Sequence, residues 1–89
     1  MYDYLKTDNL IHVFPNPCLD QLTLSNNSNG NINRRYEVTN IYGRKVRFGQ
    51  ILNKNEVINT KEIEPGYYII QVKENERTLG SRKFIKKDK

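Results

Sequence analysis

The stretch that most constrains the fold of this chain is Glu64–Val72, with the sequence EPGYYIIQV. It opens with a Pro-Gly pair, in which Pro65 fixes its own φ and Gly66 can adopt the positive φ of the third position of a type II turn. The aromatic and β-branched residues that follow favour a β-strand. Alternate residues of Tyr68–Val72 share one face, and alternate residues of Tyr67–Gln71 share the other. Both faces are largely apolar, so we expect a central strand covered on both sides for part of its length.

The length and composition of the chain favour a single small β domain. At 89 residues it can bury about 60–65% of the surface that its unfolded chain exposes, enough for a thin two-layer core. The sequence has no alanine, the strongest helix former, whereas Asn, Lys, Ile and Tyr are abundant. No apolar run approaches the ~20 residues that a membrane-spanning helix requires, so we do not expect the chain to span a membrane.

Alternating apolar and polar residues, broken by turn signals every eight to twelve residues, predict seven short strands. The predicted strands cover residues 10–14, 19–24, 35–41, 45–48, 56–60, 67–72 and 77–87. Asn29-Gly30 is a strong hairpin signal, and Gly80 is expected to form a bulge or bend in the last strand. The pattern predicts an all-β fold, an antiparallel β-sandwich of about seven strands.

Two prolines end the first predicted strand. Pro15 and Pro17 have no backbone donor, and each favours extended geometry in the residue before it. Such a break suits a strand that leaves one sheet for the other.

The net charge of +5 is concentrated in the tail. Residues 81–89 contain five basic side chains and one acidic one, so they carry +4 and the preceding residues carry +1. Nucleic-acid binding is not expected, because a stacking surface needs aromatic residues beside basic ones and the tail has only Phe84. Lysines on an edge strand can instead block aggregation. Lys86, Lys87 and Lys89 are expected at or beyond the end of the last strand, where little core remains to bury.

Residues that could support catalysis or bind a metal are scarce. His12 is the only histidine and Cys18 the only cysteine, and neither lies in a recognisable motif. A structural or surface role is favoured for His12, and Cys18 is expected to be a partly buried small apolar residue. The sequence has no phosphate-binding loop, nucleophile elbow or calcium-binding loop. We predict that the protein is not an enzyme and has no cofactor or metal.

Two of the turns resemble motifs of one known family. The segment Phe14–Pro17 is similar to the aromatic-Pro-Asn-Pro element that opens the type IX secretion system C-terminal sorting domain of Bacteroidota. The hairpin from Asn40 to Val46 resembles the Asp-x-x-Gly turn of that family, with Asn40 in place of the usual Asp. Either side chain accepts hydrogen bonds from nearby backbone amides, and Gly43 is expected to supply a positive φ.

The last third of the chain resembles the end of the same domain. The matching elements are Pro65–Val72 and, after a charged turn, the basic close Ser81–Lys87. The resemblance extends over residues 10–87 through three motifs in order. It implies that residues 10–89 form an Ig-like β-sandwich and that residues 1–9 are a linker or lead-in.

The resemblance also implies a function. Members of the family are C-terminal signals that the type IX machinery recognises in order to export an attached cargo across the outer membrane. The implied partners are the outer-membrane translocon, sortase-like attachment components and a cargo domain upstream in the same precursor. The implied location is the periplasm in transit, then the cell surface or the medium, with cleavage and surface attachment common in the family. The recognition residues carried over by the resemblance are Pro15, Asn16, Pro17, Gly43, Gly66, Tyr68, Lys83, Lys86 and Lys87.

Two alternatives stand beside these expectations. Each of the carried-over residues also suits a structural role, since proline and glycine shape the backbone of β domains and Tyr68 has the pattern of a core residue. The alternative function is an Ig-like adhesion or carbohydrate-binding module. Its candidate aromatic platform is Tyr2, Tyr4 and Tyr67.

Overall fold

The computed structural model describes residues 11–26 and 33–88, which form seven β-strands and no helix. The strands are β1 Ile11–Phe14, β2 Gln21–Asn26, β3 Arg34–Asn40, β4 Lys45–Gln50, β5 Asn55–Asn59, β6 Gly66–Glu74 and β7 Arg77–Lys86. They build two antiparallel sheets, one in the order β1-β2-β5 and the other in the order β4-β3-β6-β7. The predicted all-β sandwich is confirmed. The predicted Asn29-Gly30 turn and the lead-in at residues 1–9 lie outside the described residues.

The core lies between the two sheets and takes alternate residues from the strands. Leu22 and Leu24 of β2, like Ile70 and Val72 of β6, have no exposed surface. Burying a side chain of this size contributes about 1.5–3 kcal/mol relative to leaving it in water. The buried apolar residues are Ile11, Cys18, Leu22, Leu24, Val38, Ile51, Ile58, Ile63, Tyr68, Ile70, Val72 and Phe84.

Strand β6 is central in its sheet, but the described residues cover only one of its faces. It pairs with β3 on one side and with β7 on the other. The residues that alternate from Tyr68 to Val72 are buried, whereas Tyr67 is 67% exposed and Ile69 is 37% exposed. The prediction that both faces are covered is therefore wrong. Apolar character indicated burial, but this sheet has one partner sheet, on its inner face, so its outer-face residues remain in contact with solvent.

Gly66 does not occupy a type II turn. Its φ is 153°, far from the value of about 80° at the third position of that turn, and β6 begins at Gly66 itself. The chain turns earlier, where the Ile63 amide donates to the Thr60 carbonyl at 3.3 Å. Glycine is nevertheless favoured at this position, as predicted, because residues with a side chain rarely adopt this positive φ.

The proline-rich segment carries the chain between the sheets, as predicted. β1 pairs with β2 in the three-stranded sheet, and shortly after β1 Cys18 forms a parallel bridge with Lys86 of the four-stranded sheet. The chain then returns to the first sheet as β2. Cys18 is fully buried, so its predicted role as a small apolar residue is confirmed, and its Sγ lies 3.8 Å from Thr60 Oγ1.

The hairpin between β6 and β7 contains the predicted bulge. Val72 pairs with Gly80 and Lys73 pairs with Thr78, which leaves Leu79 as the extra residue of β7. The polar tip is a tight turn in which Asn75 has a φ of 56°.

A buried polar network closes the sandwich near this hairpin. Arg34 is only 7% exposed, and its guanidinium contacts Glu74 Oε1 at 3.1 Å and Asn26 Oδ1 at 3.2 Å. The Asn26 amide in turn donates to the carbonyls of Asn53 and Lys54, at 3.1 and 3.0 Å. The buried charge is therefore paired and hydrogen-bonded, the condition under which burial of an arginine is tolerated.

Neighbouring isoleucines of β6 test the assignment of its two faces. Ile70→Ala should lower the free energy of unfolding by about 2–5 kcal/mol, because it leaves a cavity in the core. Ile69→Ala removes the same atoms from the outer face and should cost less than about 1 kcal/mol. Urea denaturation of both variants measures the difference. Equal losses would mean that the outer face is covered.

Candidate recognition surface

The motifs that are separate in sequence come together at one end of the sandwich. Asn40 of β3 pairs with Tyr68 of β6, which pairs with Phe84 of β7, so these strand ends are level. Cys18 reaches the same level through its bridge to Lys86. We call this end the motif end, defined as residues 14–20, 40–45, 61–68 and 83–88. It brings together every residue that the sequence analysis proposed for recognition.

Asn16 holds the proline-rich segment against the outer edge of β7. Its side-chain Oδ1 accepts a hydrogen bond from the Ile85 amide at 2.9 Å, and its Nδ2 donates to the Lys83 carbonyl at 3.4 Å. The flanking residues Pro15 and Pro17 have no backbone N–H to offer to a strand edge. The amide side chain of Asn16 therefore takes the place of the backbone groups of a neighbouring strand.

Cys18 continues this pairing with its backbone. Its amide donates to the Ile85 carbonyl at 2.8 Å, and its carbonyl accepts from the Lys87 amide at 2.8 Å. Asn16 and Cys18 thus cover the edge of β7 from Lys83 to Lys87. Lysines are not needed to protect this part of the edge from other strands, which weakens the structural explanation for the basic close.

The turn at Gly43 is built by the side chain of Asn40. Asn40 Oδ1 accepts hydrogen bonds from the backbone amides of Tyr42 and Arg44, at 2.9 and 3.0 Å. Gly43 has a φ of 81°, so its predicted positive φ is confirmed. Asn40 performs the turn-forming role expected of Asp at this position. The turn leaves Ile41 and Tyr42 70% and 87% exposed.

Tyr68 is a core residue whose hydroxyl reaches the motif end. Its ring stacks on Phe84, with centroids 5.5 Å apart and an interplanar angle of 21°. Its hydroxyl donates to the Glu64 carbonyl. Burial and the negative charge of Glu64 raise the pKa of Tyr68, so the hydroxyl is a neutral donor at physiological pH. Tyr68 therefore has a structural role at the motif end, where its side chain is buried and not exposed to a partner.

The lysines of the basic close have different environments. Lys86 is only 7% exposed, and its Nζ donates to the Ile63 carbonyl at 3.3 Å. The expectation that Lys86 lies where little core remains to bury is therefore wrong. Because side chains alternate between the two faces of β7, Phe84 and Lys86 both point inward. Lys83 and Lys87 are exposed, and Lys89 lies outside the described residues.

A family model described as a secretion system C-terminal sorting domain matches residues 12–87. The chain belongs to this family. A comparison with curated proteins gives no match. The family is a C-terminal sorting signal for type IX secretion, so the resemblance seen in the sequence is confirmed. Nothing in the comparisons supports the alternative of an adhesion or carbohydrate-binding module. Of its candidate platform, Tyr67 is exposed on the outer face of β6, and Tyr2 and Tyr4 lie outside the described residues.

The described part of the sorting domain contains one histidine, His12, and one cysteine, Cys18. Within residues 11–26 and 33–88, no three His, Cys, Asp or Glu side chains are placed to hold a metal ion. His12 is exposed on β1, whereas Cys18 is buried between the sheets. The family is not known as enzymatic. None of the described residues forms a helix long and apolar enough to cross a membrane.

The outer face of the four-stranded sheet carries a cluster of charges around Glu37. Its carboxylate lies 3.3 Å from Lys73 Nζ, 3.4 Å from Lys45 Nζ and 3.7 Å from Arg35 Nε. Desolvation alone would raise the pKa of Glu37, but the hydrogen bond from Lys73 and the charges of Lys45 and Lys73 outweigh it and lower the pKa. The ionised carboxylate is therefore more stable in the folded sorting domain than in the unfolded chain.

Removing the Asn16 side chain should loosen the end of β7. Asn16→Ala leaves the Ile85 amide without its acceptor, which should cost about 0.5–1.5 kcal/mol and speed hydrogen exchange at that amide. Exchange measured by NMR reports the local effect, and a thermal melt reports the global one. Asn55→Ala, at an exposed position of β5, is the matched control and should change neither. Unaltered exchange at Ile85 would contradict the assigned contact.

The lowered pKa of Glu37 predicts an acid dependence of stability. The unfolded carboxyl titrates near the ordinary value of 4.5, so the stabilisation is complete above that pH and is lost as the pH falls through the lower folded value. Glu37→Gln should therefore lower the Tm most at neutral pH, and the difference from wild type should shrink below pH 4.5. Glu76→Gln, in the exposed β6–β7 turn, is the control. A difference that does not vary with pH would rule out the assigned ion pairs.

Proposed function

We propose that the type IX machinery recognises the motif end of the folded sorting domain as one composite surface. The observation that supports this is the convergence of three family motifs, spread over residues 14–87, on one end of the sandwich. A surface assembled from such distant segments exists only after the chain has folded, so a receptor that reads it selects folded domains.

Within this surface we assign different roles to the nine recognition residues. Lys83 and Lys87 are exposed and carry charge, so they contact the machinery through charge-assisted hydrogen bonds. Pro15 and Pro17 are exposed beside them and present rigid apolar contacts. The remaining five residues hold this surface in shape: Asn16, Gly43, Gly66, Tyr68 and Lys86.

The route of the domain follows from this role. Residues 10–89 form the sorting domain, and residues 1–9 link it to a cargo domain upstream in the same precursor. The domain folds in the periplasm, engages the outer-membrane translocon and then sortase-like attachment components, and its cargo reaches the cell surface or the medium. It acts by being bound, and it has no catalytic activity of its own and no cofactor. Nucleic acid is not among its partners.

Neutralising the two exposed lysines tests the proposal. Lys83→Gln with Lys87→Gln should change the free energy of unfolding by no more than about 0.5 kcal/mol, as at ordinary surface sites. A carrier fused to this variant should nevertheless remain in the periplasm of a host with the type IX system. The variant loses its charge-assisted contacts with carboxylates of the machinery, and contacts with water are a poor substitute for them. Lys86 is left unchanged because its ammonium is buried.

The matched control neutralises two exposed cations away from the motif end, Lys54→Gln with Arg77→Gln. Carriers with the wild-type domain and with this control should be exported, and the carrier without the domain should not. The measurement is the distribution of carrier between periplasm, cell surface and medium, together with a melt of each variant. Export of the folded Lys83/Lys87 variant at the wild-type level would refute recognition of these lysines.

A further inference from the structure

The outer face of the four-stranded sheet exposes apolar side chains at the motif end. Ile41 is 70% exposed, Tyr67 67%, and Ile69 and Ile85 each 37%. We call these four residues the apolar strip. A sheet face in contact with water is normally polar, and the core contains none of these side chains. Folding of the sandwich therefore does not account for them.

The residues of the apolar strip are neighbours across the strands, and they border a groove. Tyr67 pairs with Ile85 across β6 and β7, and Ile69 pairs with Lys83 in the next register position. A groove of about 240 Å³ runs beside it, with Ile41, Tyr67, Ile69 and Lys83 among its lining residues. The groove is large enough to receive an apolar side chain, and rigid aromatic or branched walls lose little entropy when one is bound.

Lys83 borders the apolar strip, and further cations lie elsewhere on the same face of the sheet. The outer face of this sheet carries four cations, Arg35, Lys45, Lys73 and Lys83, and the single carboxylate of Glu37, which gives a net charge of +3 over the described strands. Three of these cations, Arg35, Lys45 and Lys73, are paired with Glu37, and of the three only Lys45 belongs to the motif end. Lys83 lies beside the apolar strip itself.

We propose that the apolar strip docks a protein component of the secretion machinery whose own apolar patch is bordered by carboxylates. This inference rests on the proposed sorting function and adds a second contact face to it, next to the exposed lysines of the motif end. Charge complementarity selects this occupant, since carboxylates opposite a face of charge +3 would steer and orient the encounter. A second copy of the chain would place two such faces against each other, and like charges at close range oppose that pairing.

Tyr67 and Ile85 provide the test, because they form the centre of the strip and lie outside the core. A carrier is fused to the domain bearing Tyr67→Ser and Ile85→Ser and is expressed in a host with the type IX system. The matched control is Leu52→Ser with Val57→Ser, which removes exposed apolar side chains of comparable size elsewhere, at positions 71% and 56% exposed. A melt of each isolated domain shows whether it folds.

The strip variant should fold, and the amount of its carrier that is exported should fall at least about tenfold below wild type. A tenfold loss of affinity corresponds to losing a contact of roughly 1.4 kcal/mol. The control should be exported normally. Lys83→Glu should lower export more than Lys83→Gln does, because reversal places like charges opposite the carboxylates. Normal export of the folded strip variant would overturn the docking proposal while leaving the sorting function intact. Failure of the wild-type domain to export its carrier would instead refute the sorting function, and the docking proposal with it.

Two further measurements distinguish the other occupants. Sedimentation velocity of the isolated wild-type domain should show a monomer. In cosedimentation with vesicles of phosphatidylethanolamine and phosphatidylglycerol, the wild-type domain should bind no more than the strip variant does. A dimer abolished by the strip variant would mean that a second copy covers the strip. Strip-dependent binding to vesicles would mean that an anionic lipid surface covers it. Either result would overturn the assignment of a protein partner.

Discussion

The pairing of Asn16 and Cys18 with the outer edge of β7 is the contact on which the motif end depends. It joins the proline-rich segment after β1 to the last strand, through the Asn16 side-chain amide and two backbone hydrogen bonds of 2.8 Å. Because Cys18 is also fully buried, the same segment closes the core between the sheets. The pairing of β7 with β6 on its other edge places Phe84 against Tyr68, and the Lys86 ammonium lies against the Ile63 carbonyl. Without the pairing of Asn16 and Cys18 with β7, Lys83 and Lys87 would have no fixed position relative to the prolines.

Neighbouring residues of β6 differ in what they contribute to folding, because they lie on opposite faces of the strand. The inner residues, alternating from Tyr68 to Val72, are buried and stabilise the sandwich. The outer residues Tyr67 and Ile69 are apolar but exposed, so they add little to stability and remain available to a partner. Since a strand presents successive side chains to opposite faces, one short sequence can supply both.

Much of the fold was predictable from the sequence, because alternation and turn residues are local signals. The seven strands, the bulge at Gly80 and the positive φ of Gly43 all follow from such signals. The type II turn predicted at Gly66 was a local error, and the other two errors concern long-range contacts. Burial of Lys86 requires the Ile63 carbonyl to lie beside it, and the exposure of Tyr67 requires that the outer face has no covering layer, neither of which a local pattern reports. The motif residues were predictable by resemblance, but their meeting at one end follows only from the strand register.

If the machinery binds the motif end as proposed, the local stability of this end affects recognition. A domain of this length is stable by only about 4–13 kcal/mol, and each hydrogen bond there contributes about 1 kcal/mol. The end of β7 can therefore open locally at a smaller cost than global unfolding. Local opening would separate Asn16 from Ile85 and remove the composite surface, and it would also expose the core residue Cys18. A receptor that binds the closed form stabilises it by mass action, so its affinity for the domain depends on how often this end is closed. If the machinery binds the motif end as proposed, the packing of the buried residues Cys18 and Lys86 would influence export without either side chain contacting the receptor.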